Sequence, residues 1–173
     1  MTATAAPESI TVARANAPHV AVIGAGLAGL VTALRLRRAG ARVTLVTKGV
    51  GGLQLGHGTI DLLGYDPERV TNPAKGIEAF AAKHPEHPYA KIGVEAVRSG
   101  VELLSEILGE KLVNGSADEN VLVPTAVGAA RPTAFIPESM KAGVLHGDAK
   151  MVIIGVAQYK DFHPSLIAQN LSR

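Results

Sequence analysis

The stretch Val20-Ala21-Val22-Ile23-Gly24-Ala25-Gly26-Leu27-Ala28-Gly29-Leu30 decides the fold of this chain. Its first four residues form a continuous apolar run with the length of a parallel β-strand that is buried on both faces. Three glycines follow with the spacing G-x-G-x-x-G, which joins strand to helix in dinucleotide-binding βαβ units. The stretch therefore predicts an α/β protein whose first unit is of the Rossmann type, in the FAD/NAD(P)-binding class.

Each glycine of the motif has a separate expected role. Gly24 permits a tight turn, Gly26 lets a pyrophosphate approach the backbone, and Gly29 lets the helix lie close to the strand. Free N–H groups at the N-terminus of the helix would bind the phosphate charge. We therefore predict that the cofactor is bound by Gly24, Ala25, Gly26, Leu27 and Gly29.

The rest of the unit follows at the expected distance. A helix is predicted over residues 27–39, with Gly40 at its C-terminal end, and a second strand over residues 43–46. The acidic residue that commonly binds the ribose hydroxyls after this strand is replaced by Thr47 and Lys48. Three interpretations are open: an adenosine ribose bound by Thr47 and the backbone, a phosphorylated ribose bound by Lys48, or a cofactor such as FMN without an adenosine ribose.

A glycine-rich segment follows the second strand, at the edge of the sheet where such folds bind ligands. Glycines let the backbone approach flat or charged groups, so Gly56, His57 and Gly58 are predicted to contact the cofactor. The sequence identifies no acid or base that would work with His57 in proton transfer, and the catalytic residues stay unknown.

Composition restricts the class of protein. The 173 residues are 47% hydrophobic, which suits a globular core. The net charge of +2 and the scattered basic residues indicate no nucleic-acid partner. The chain has no cysteine, so it offers no thiolate ligands and no disulfides. Residues 1–18 are predicted to be a disordered tail without the apolar core of a secretory signal.

Patterns further along the chain predict more elements. His84 and His87 do not share a helical face because prolines interrupt the segment, so no metal site is predicted. Arg131 could bind an anionic substrate, or it is a surface arginine. Residues 111–150 are predicted to form a small inserted β-rich lobe. The predicted elements are a helix from Asn72-Pro73 to Lys83, a helix from Val94 to Leu108 ended by Gly109, two short strands around an Asn114-Gly115 turn, a buried strand over 151–156, and a helix over 162–171 capped by Asp161.

Several blocks, in this order, resemble the B-type subunit of the anaerobic glycerol-3-phosphate dehydrogenases. The likeness runs from about His19 to the end of the chain, and G-T-I-D-L-L together with V-T-K-G is its most specific part. The blocks are residues 22–30, 46–49, 58–63, 87–89 and 152–155, the last followed by Asp161-Phe162.

The resemblance implies a flavoprotein subunit of a complex that oxidises sn-glycerol 3-phosphate to dihydroxyacetone phosphate and passes electrons to membrane quinone. It implies FMN as the cofactor, with FAD as the alternative. It also implies two partners: a catalytic FAD subunit, and an iron–sulfur subunit that holds the pair at the inner face of the cytoplasmic membrane. By position, the motif glycines correspond to phosphate-binding glycines and residues 58–61 to a loop facing the flavin.

Members of that family are much longer than this chain. Residues 19–173 are therefore expected to be the N-terminal part of a flavin-binding oxidoreductase domain that is incomplete at its C-terminus. Two other functions stay open: a stand-alone FAD- or NAD(P)-dependent oxidoreductase, in which Lys48 would bind a 2′-phosphate, and a truncated fragment that binds the complex without catalysis.

Overall fold

The structure is a computed structural model that describes residues 16–147 and 150–172. The chain divides into two compact units, of which the first ends at His57 and the second begins at Gly58. Residues 1–15 of the predicted tail lie outside the described residues. Within the described part, no helix combines the length and the apolar character needed to cross a membrane.

The first unit has the predicted order of strand, helix and strand. Its two strands pair in parallel, with Ile23 opposite Val46 at their carboxyl ends. Parallel neighbours need a crossover connection, and the helix provides it. The predicted βαβ unit is therefore confirmed. Its elements are β1 (His19–Ile23), α1 (Leu27–Arg38) and β2 (Arg42–Val46).

The prediction that the first strand is buried on both faces is wrong. Val22 is buried, but Ile23 is 86% exposed, and no residue of α1 is buried. Among the described residues β1 pairs with β2 and with no other strand, and a sheet of two strands cannot cover both faces of its members. The first unit consequently has a small core, in which Val22 and Ala41 are the buried apolar residues of the described part.

Two helices of the second unit begin and end where the sequence predicts. The Asn72 side chain accepts a hydrogen bond of 2.9 Å from the Lys75 N–H, which caps the first of them. The second ends at Gly109, whose φ of +73° favours glycine. These two elements are α2 (Pro73–Lys83) and α4 (Val94–Leu108), and between them lies the short α3 (Pro88–Ile92).

The start of the last helix, α5 (Pro164–Leu171), differs from the prediction. Asp161 was expected to cap it, but the capping position is occupied by His163. Proline at the first helical position has its φ already fixed for a helix, so Pro164 determines the start.

The predicted Asn114-Gly115 turn is wrong. These two residues form a short strand that pairs antiparallel with Ile136 and Phe135. A Cβ at Gly115 would overlap the carbonyl oxygen of Ala134, so glycine serves a close approach of two strands here. The strands of this region are β3 (Asn114–Gly115), β4 (Val121–Pro124), β5 (Ala130–Thr133) and β6 (Phe135–Ile136), and β4 pairs antiparallel with β5. All four fall within the predicted lobe of residues 111–150, whose independence stays a prediction.

The predicted buried strand over residues 151–156 is also wrong. These residues belong to no strand, and Val152 and Ile154 are 86% and 79% exposed. A strand needs a neighbour to pair its N–H and C=O groups. The strands of the described chain pair within three two-stranded sheets, and none of them includes this segment.

The core of the second unit contains a cluster that links helix and strands. Ile60 and Leu62 from the G-T-I-D-L-L block pack against it. This block is therefore part of the core as well as a family signature. The buried members of the cluster are Val101, Val113, Ala117, Ala134 and Phe135.

Candidate cofactor site

The glycine turn joins the end of β1 to the start of α1. Gly24 has a φ of +103°, a conformation that L side chains rarely adopt. Its N–H donates a hydrogen bond of 2.8 Å to the carbonyl oxygen of Val46. The turn is thereby tied to the carboxyl end of β2, the side on which parallel sheets bind ligands.

Gly29 sets the distance between helix and strand. A Cβ at this position would overlap the carbonyl oxygen of Gly24 and would come within 3.8 Å of Cγ1 of Val22. The first turn of α1 therefore lies directly on the end of β1, and no larger residue fits without a shift of the helix.

Gly26 stands at the N-terminus of α1 and faces open space. It has φ −73° and ψ 176°, and no side chain among the described residues caps the helix there. A Cβ built on Gly24 or on Gly26 meets no heavy atom within 4 Å. The N–H groups of the first helical turn and the positive end of the helix dipole favour an anion at this position. A pyrophosphate fits this turn, with Ala25 and Leu27 beside it.

Gly51 brings the segment after β2 against the same turn. Its φ is +69°, and a Cβ there would lie 2.7 Å from the Ala25 carbonyl oxygen and 2.7 Å from the Gly26 nitrogen. The glycine-rich segment was expected to approach something flat or charged, and in the structure Gly51 approaches this peptide. Gly51 was missing from the predicted site residues. The signal that could have found it was its place in the loop after the second strand.

Thr47 and Lys48 end the second strand on the exposed side. The Thr47 hydroxyl donates to the Gly49 carbonyl oxygen, and the Gly49 N–H donates back to Thr47 Oγ1 over 3.2 Å. This turn engages the hydroxyl within its own loop. Lys48 is exposed.

The other predicted contacts fall where the two units meet along the chain. Gly56 ends a short 3₁₀ helix (Leu53–Leu55), and His57 is exposed and closes the first unit. Gly58 opens the second unit with a φ of +83°, and a Cβ on it would lie 3.4 Å from Cγ of Pro137. Their contact with a cofactor stays a prediction.

Arg131 has contacts that the sequence did not indicate. Its guanidinium forms an ion pair with the Asp61 carboxylate and donates a hydrogen bond of 2.9 Å to Thr59 Oγ1. The side chains of Arg131 and Asp61 are 27% and 46% exposed. Neither sequence-based interpretation of Arg131, as an anion site or as a surface arginine, included this pairing.

Polar groups elsewhere in the second unit have structural roles. Arg98 on α4 holds the Asp118 carboxylate with two hydrogen bonds of 2.7 and 2.6 Å, and these lower the pKa of Asp118 below its ordinary value. His84 and His87 lie against the Phe80 ring at centroid distances of 4.3 and 4.9 Å. No group of three possible metal ligands occurs among the residues that the structure describes.

A cavity of about 370 Å³ lies in the second unit, and none of the predicted site residues line it. Its wall combines apolar side chains with polar ones, among them His146 and Asn170, and with the backbone of Gly128 and Gly147. The Asn170 amide already donates to the carbonyl oxygen of Val127 over 2.8 Å.

The chain belongs to the FAD-binding domain family, whose sequence model matches residues 19–173. The family carries a Rossmann-like α/β fold that binds a flavin, so the predicted fold class is confirmed at this level. The predicted cofactor class, a flavin, is also confirmed, and the family description names FAD, which was the alternative to FMN. The class of protein is thus that of the flavoproteins, whose cofactor serves oxidation and reduction.

The chain is similar to the B-type subunit of anaerobic glycerol-3-phosphate dehydrogenase from several organisms, and the predicted resemblance is confirmed. It is 35% identical to the protein of Mannheimia succiniciproducens over 162 residues, which are 89% of this chain and 37% of that protein. For Yersinia enterocolitica the identity is 36%, with 88% and 38% covered, and for Aliivibrio fischeri 32%, with 88% and 35% covered. The chain therefore spans little more than a third of the length of these relatives. No solved structure matches it.

Proposed function

We propose that this chain is the FAD-binding part of an oxidoreductase that converts sn-glycerol 3-phosphate to dihydroxyacetone phosphate. The observation that carries the proposal is the open glycine turn at the N-terminus of α1, which no described side chain caps. The family match supplies the flavin, and the names of the relatives supply the reaction. A stand-alone NAD(P)-dependent enzyme has less support, because the matching family is described by FAD.

The backbone of Gly24, Ala25, Gly26, Leu27 and Gly29 would hold the pyrophosphate of FAD. This turn favours FAD over FMN, since the pyrophosphate occurs only in the dinucleotide. When bound, a flavin supplies the hydride chemistry that the oxidation of an alcohol requires.

The end of the second strand would serve the ribose without a carboxylate. The Thr47 hydroxyl is already bonded within its own turn, so we infer that backbone groups of this loop and the exposed Lys48 provide the polar contacts. Gly56, His57 and Gly58 remain the proposed further contacts of the cofactor.

We also propose the partners that the resemblance implies. The relatives are each named as one lettered subunit of a dehydrogenase, which indicates that other subunits exist. The present 173 residues contain no cysteine, so thiolate ligands of any iron–sulfur cluster on the electron route belong outside them. A catalytic FAD subunit and an iron–sulfur subunit at the inner face of the cytoplasmic membrane, passing electrons to quinone, complete the proposal.

The test compares two glycine-to-alanine variants of the same chain. At Gly26 the backbone angles suit alanine and a Cβ meets nothing, so Gly26→Ala should fold normally while its methyl group fills the space of the phosphate. Losing a charge-assisted hydrogen bond corresponds to a loss of flavin affinity of about tenfold or more. The control Gly100→Ala lies in α4, where a Cβ also meets nothing, and it should keep the native affinity.

Flavin fluorescence titration gives the affinities, and thermal denaturation verifies that each variant is folded. Equal affinity in native chain and Gly26→Ala would show that the turn does not hold the cofactor. Activity is tested separately by co-expressing the chain with its partner subunits and measuring glycerol-3-phosphate-dependent dye reduction. A complex that reduces the dye only with another alcohol would overturn the proposed substrate.

A further inference from the structure

The segment Thr59-Ile60-Asp61 is fixed at its centre by the strands of the second unit. The Ile60 N–H donates to the Phe135 carbonyl oxygen over 3.0 Å, and the Ile60 carbonyl oxygen accepts from the N–H groups of Phe135 and Ala134 at 3.1 and 3.2 Å. The fully buried Thr133 adds a hydroxyl hydrogen bond of 3.3 Å to the same oxygen. Ile60 therefore lies in the sheet as an isolated bridge.

The residues on either side of Ile60 both contact Arg131. In extended backbone, residues two apart point to the same face, which places Thr59 and Asp61 together. The Nη1 group of Arg131 binds the Asp61 carboxylate, and its Nη2 group donates to Thr59 Oγ1 over 2.9 Å. A guanidinium is planar and permanently charged, so it holds two acceptors in fixed directions. We call Thr59, Asp61 and Arg131 the arginine clamp.

The clamp lies immediately after a residue with unusual backbone freedom. Gly58 has a φ of +83°, and its closest neighbour outside the local chain is the ring of Pro137. Glycine loses more conformational entropy on ordering than other residues do. A segment that begins with such a residue needs a tether to keep one conformation, and the clamp provides it through two side chains at once.

We propose that Arg131 is a positioning residue, which holds residues 58–61 in the single conformation in which they contact the flavin. The inference rests on the proposed function for the flavin itself. Partly exposed ion pairs contribute little to global stability, so loss of the clamp should act locally. Arg131 would act through Thr59 and Asp61 and need not touch the cofactor.

Hydrogen–deuterium exchange of the full flavin-free chain tests the clamp without reference to the cofactor. Arg131→Gln should raise the exchange rate of peptides covering residues 58–62 by about tenfold, because local opening becomes easier. The matched control is Arg98→Gln, which removes the other arginine–carboxylate fork at a similar exposure of 30%. It should leave these peptides unchanged. Unchanged exchange in Arg131→Gln overturns the inference.

Flavin titration then tests the link to the cofactor. Removal of a residue that orients a binding segment typically weakens binding by about tenfold, and the visible flavin bands should shift in Arg131→Gln. Arg131→Lys keeps the charge and loses the fork, so it should restore only part of the affinity. Faster exchange together with native affinity and native flavin bands would overturn the positioning role. A native chain that binds no flavin would overturn the proposed function, while the exchange measurement would still decide whether the clamp exists.

Discussion

Two glycines of one motif differ in what a side chain would meet. A Cβ on Gly26 meets nothing, whereas a Cβ on Gly29 overlaps the carbonyl oxygen of Gly24. Gly29→Ala should therefore push α1 away from β1 and destabilise the chain by about 2 kcal/mol, the usual cost of overpacking. Thermal denaturation checks this, with Gly26→Ala as the control that keeps its stability. An unchanged melting temperature in Gly29→Ala would contradict the described contact.

Residue roles were predictable where they depend on local spacing. The motif glycines, the Asn72 cap and Gly109 follow from neighbours along the chain and from the backbone angles that each position needs. The pairing of Arg131 with Asp61 joins residues 70 positions apart, and no local pattern indicates it. Gly51 shows the same limit, because its neighbour is the Ala25-Gly26 peptide on the other side of α1.

The helix α2 offers a direct test of its cap. The Asn72 side chain accepts from the Lys75 N–H, and loss of such a cap costs about 1 kcal/mol. Asn72→Ala should lower the free energy of unfolding by that amount in denaturant titrations. Asn72→Asp keeps an oxygen acceptor and should stay close to the native value. Equal stability of the alanine variant would show that the cap contributes nothing.

The link between Arg98 of α4 and Asp118 predicts a dependence on pH. The Arg98 hydrogen bond lowers the pKa of Asp118 below its ordinary value of 3.8. A lowered folded-state pKa stabilises the fold above the ordinary value, and this contribution is lost as pH falls through the folded value. The native chain should therefore exceed Asp118→Asn in stability at neutral pH, and the difference should disappear in acid.

Denaturant titrations at pH 7 and at a pH below about 3 measure that difference. Both charges are exposed to solvent, so added salt should reduce it at neutral pH. A difference that is independent of pH would show that the ion pair is not its source.

At the scale of elements, helices were predicted better than strands. The periodicity of α4 and the Asn72-Pro73 start of α2 are local signals, and both helices appear at the predicted positions. A strand depends on a partner elsewhere in the chain. Asn114-Gly115 pairs with residues 135–136, and the apolar segment 151–156 pairs with no strand of the described chain. Apolar character alone could not distinguish these cases.

The chain as a whole exposes large apolar side chains in each unit. Ile23 and Leu55 are 86% and 92% exposed in the first unit, and Val152 and Ile154 are similarly exposed in the second. Apolar surface of this kind binds hydrophobic dyes, so the folded 173-residue chain should enhance anilinonaphthalene sulfonate fluorescence. Val152→Ser and Ile154→Ser together should reduce the signal without lowering the melting temperature. Absence of dye binding by the native chain would contradict the described exposure.

The class of the molecule was predictable from one motif in its context, and the reaction was not. Strand, glycine turn, helix and second strand together define a nucleotide-binding unit, and the family match agrees with it. The substrate enters through relatives of which the chain spans 37% or 38% of the length. No acid or base among the described residues identifies the alcohol that is oxidised, because the glycine turn binds a phosphate of the cofactor and not the substrate.

The visible absorption spectrum of the purified chain, followed by chromatography of the cofactor that heating releases, tests the proposed FAD site most directly. We predict flavin bands and release of FAD in about one-to-one ratio with the protein, as expected for a single dinucleotide turn. Release of FMN would transfer the site to a mononucleotide. A folded but colourless chain that takes up no added flavin would contradict the proposal that this chain binds FAD at its glycine turn.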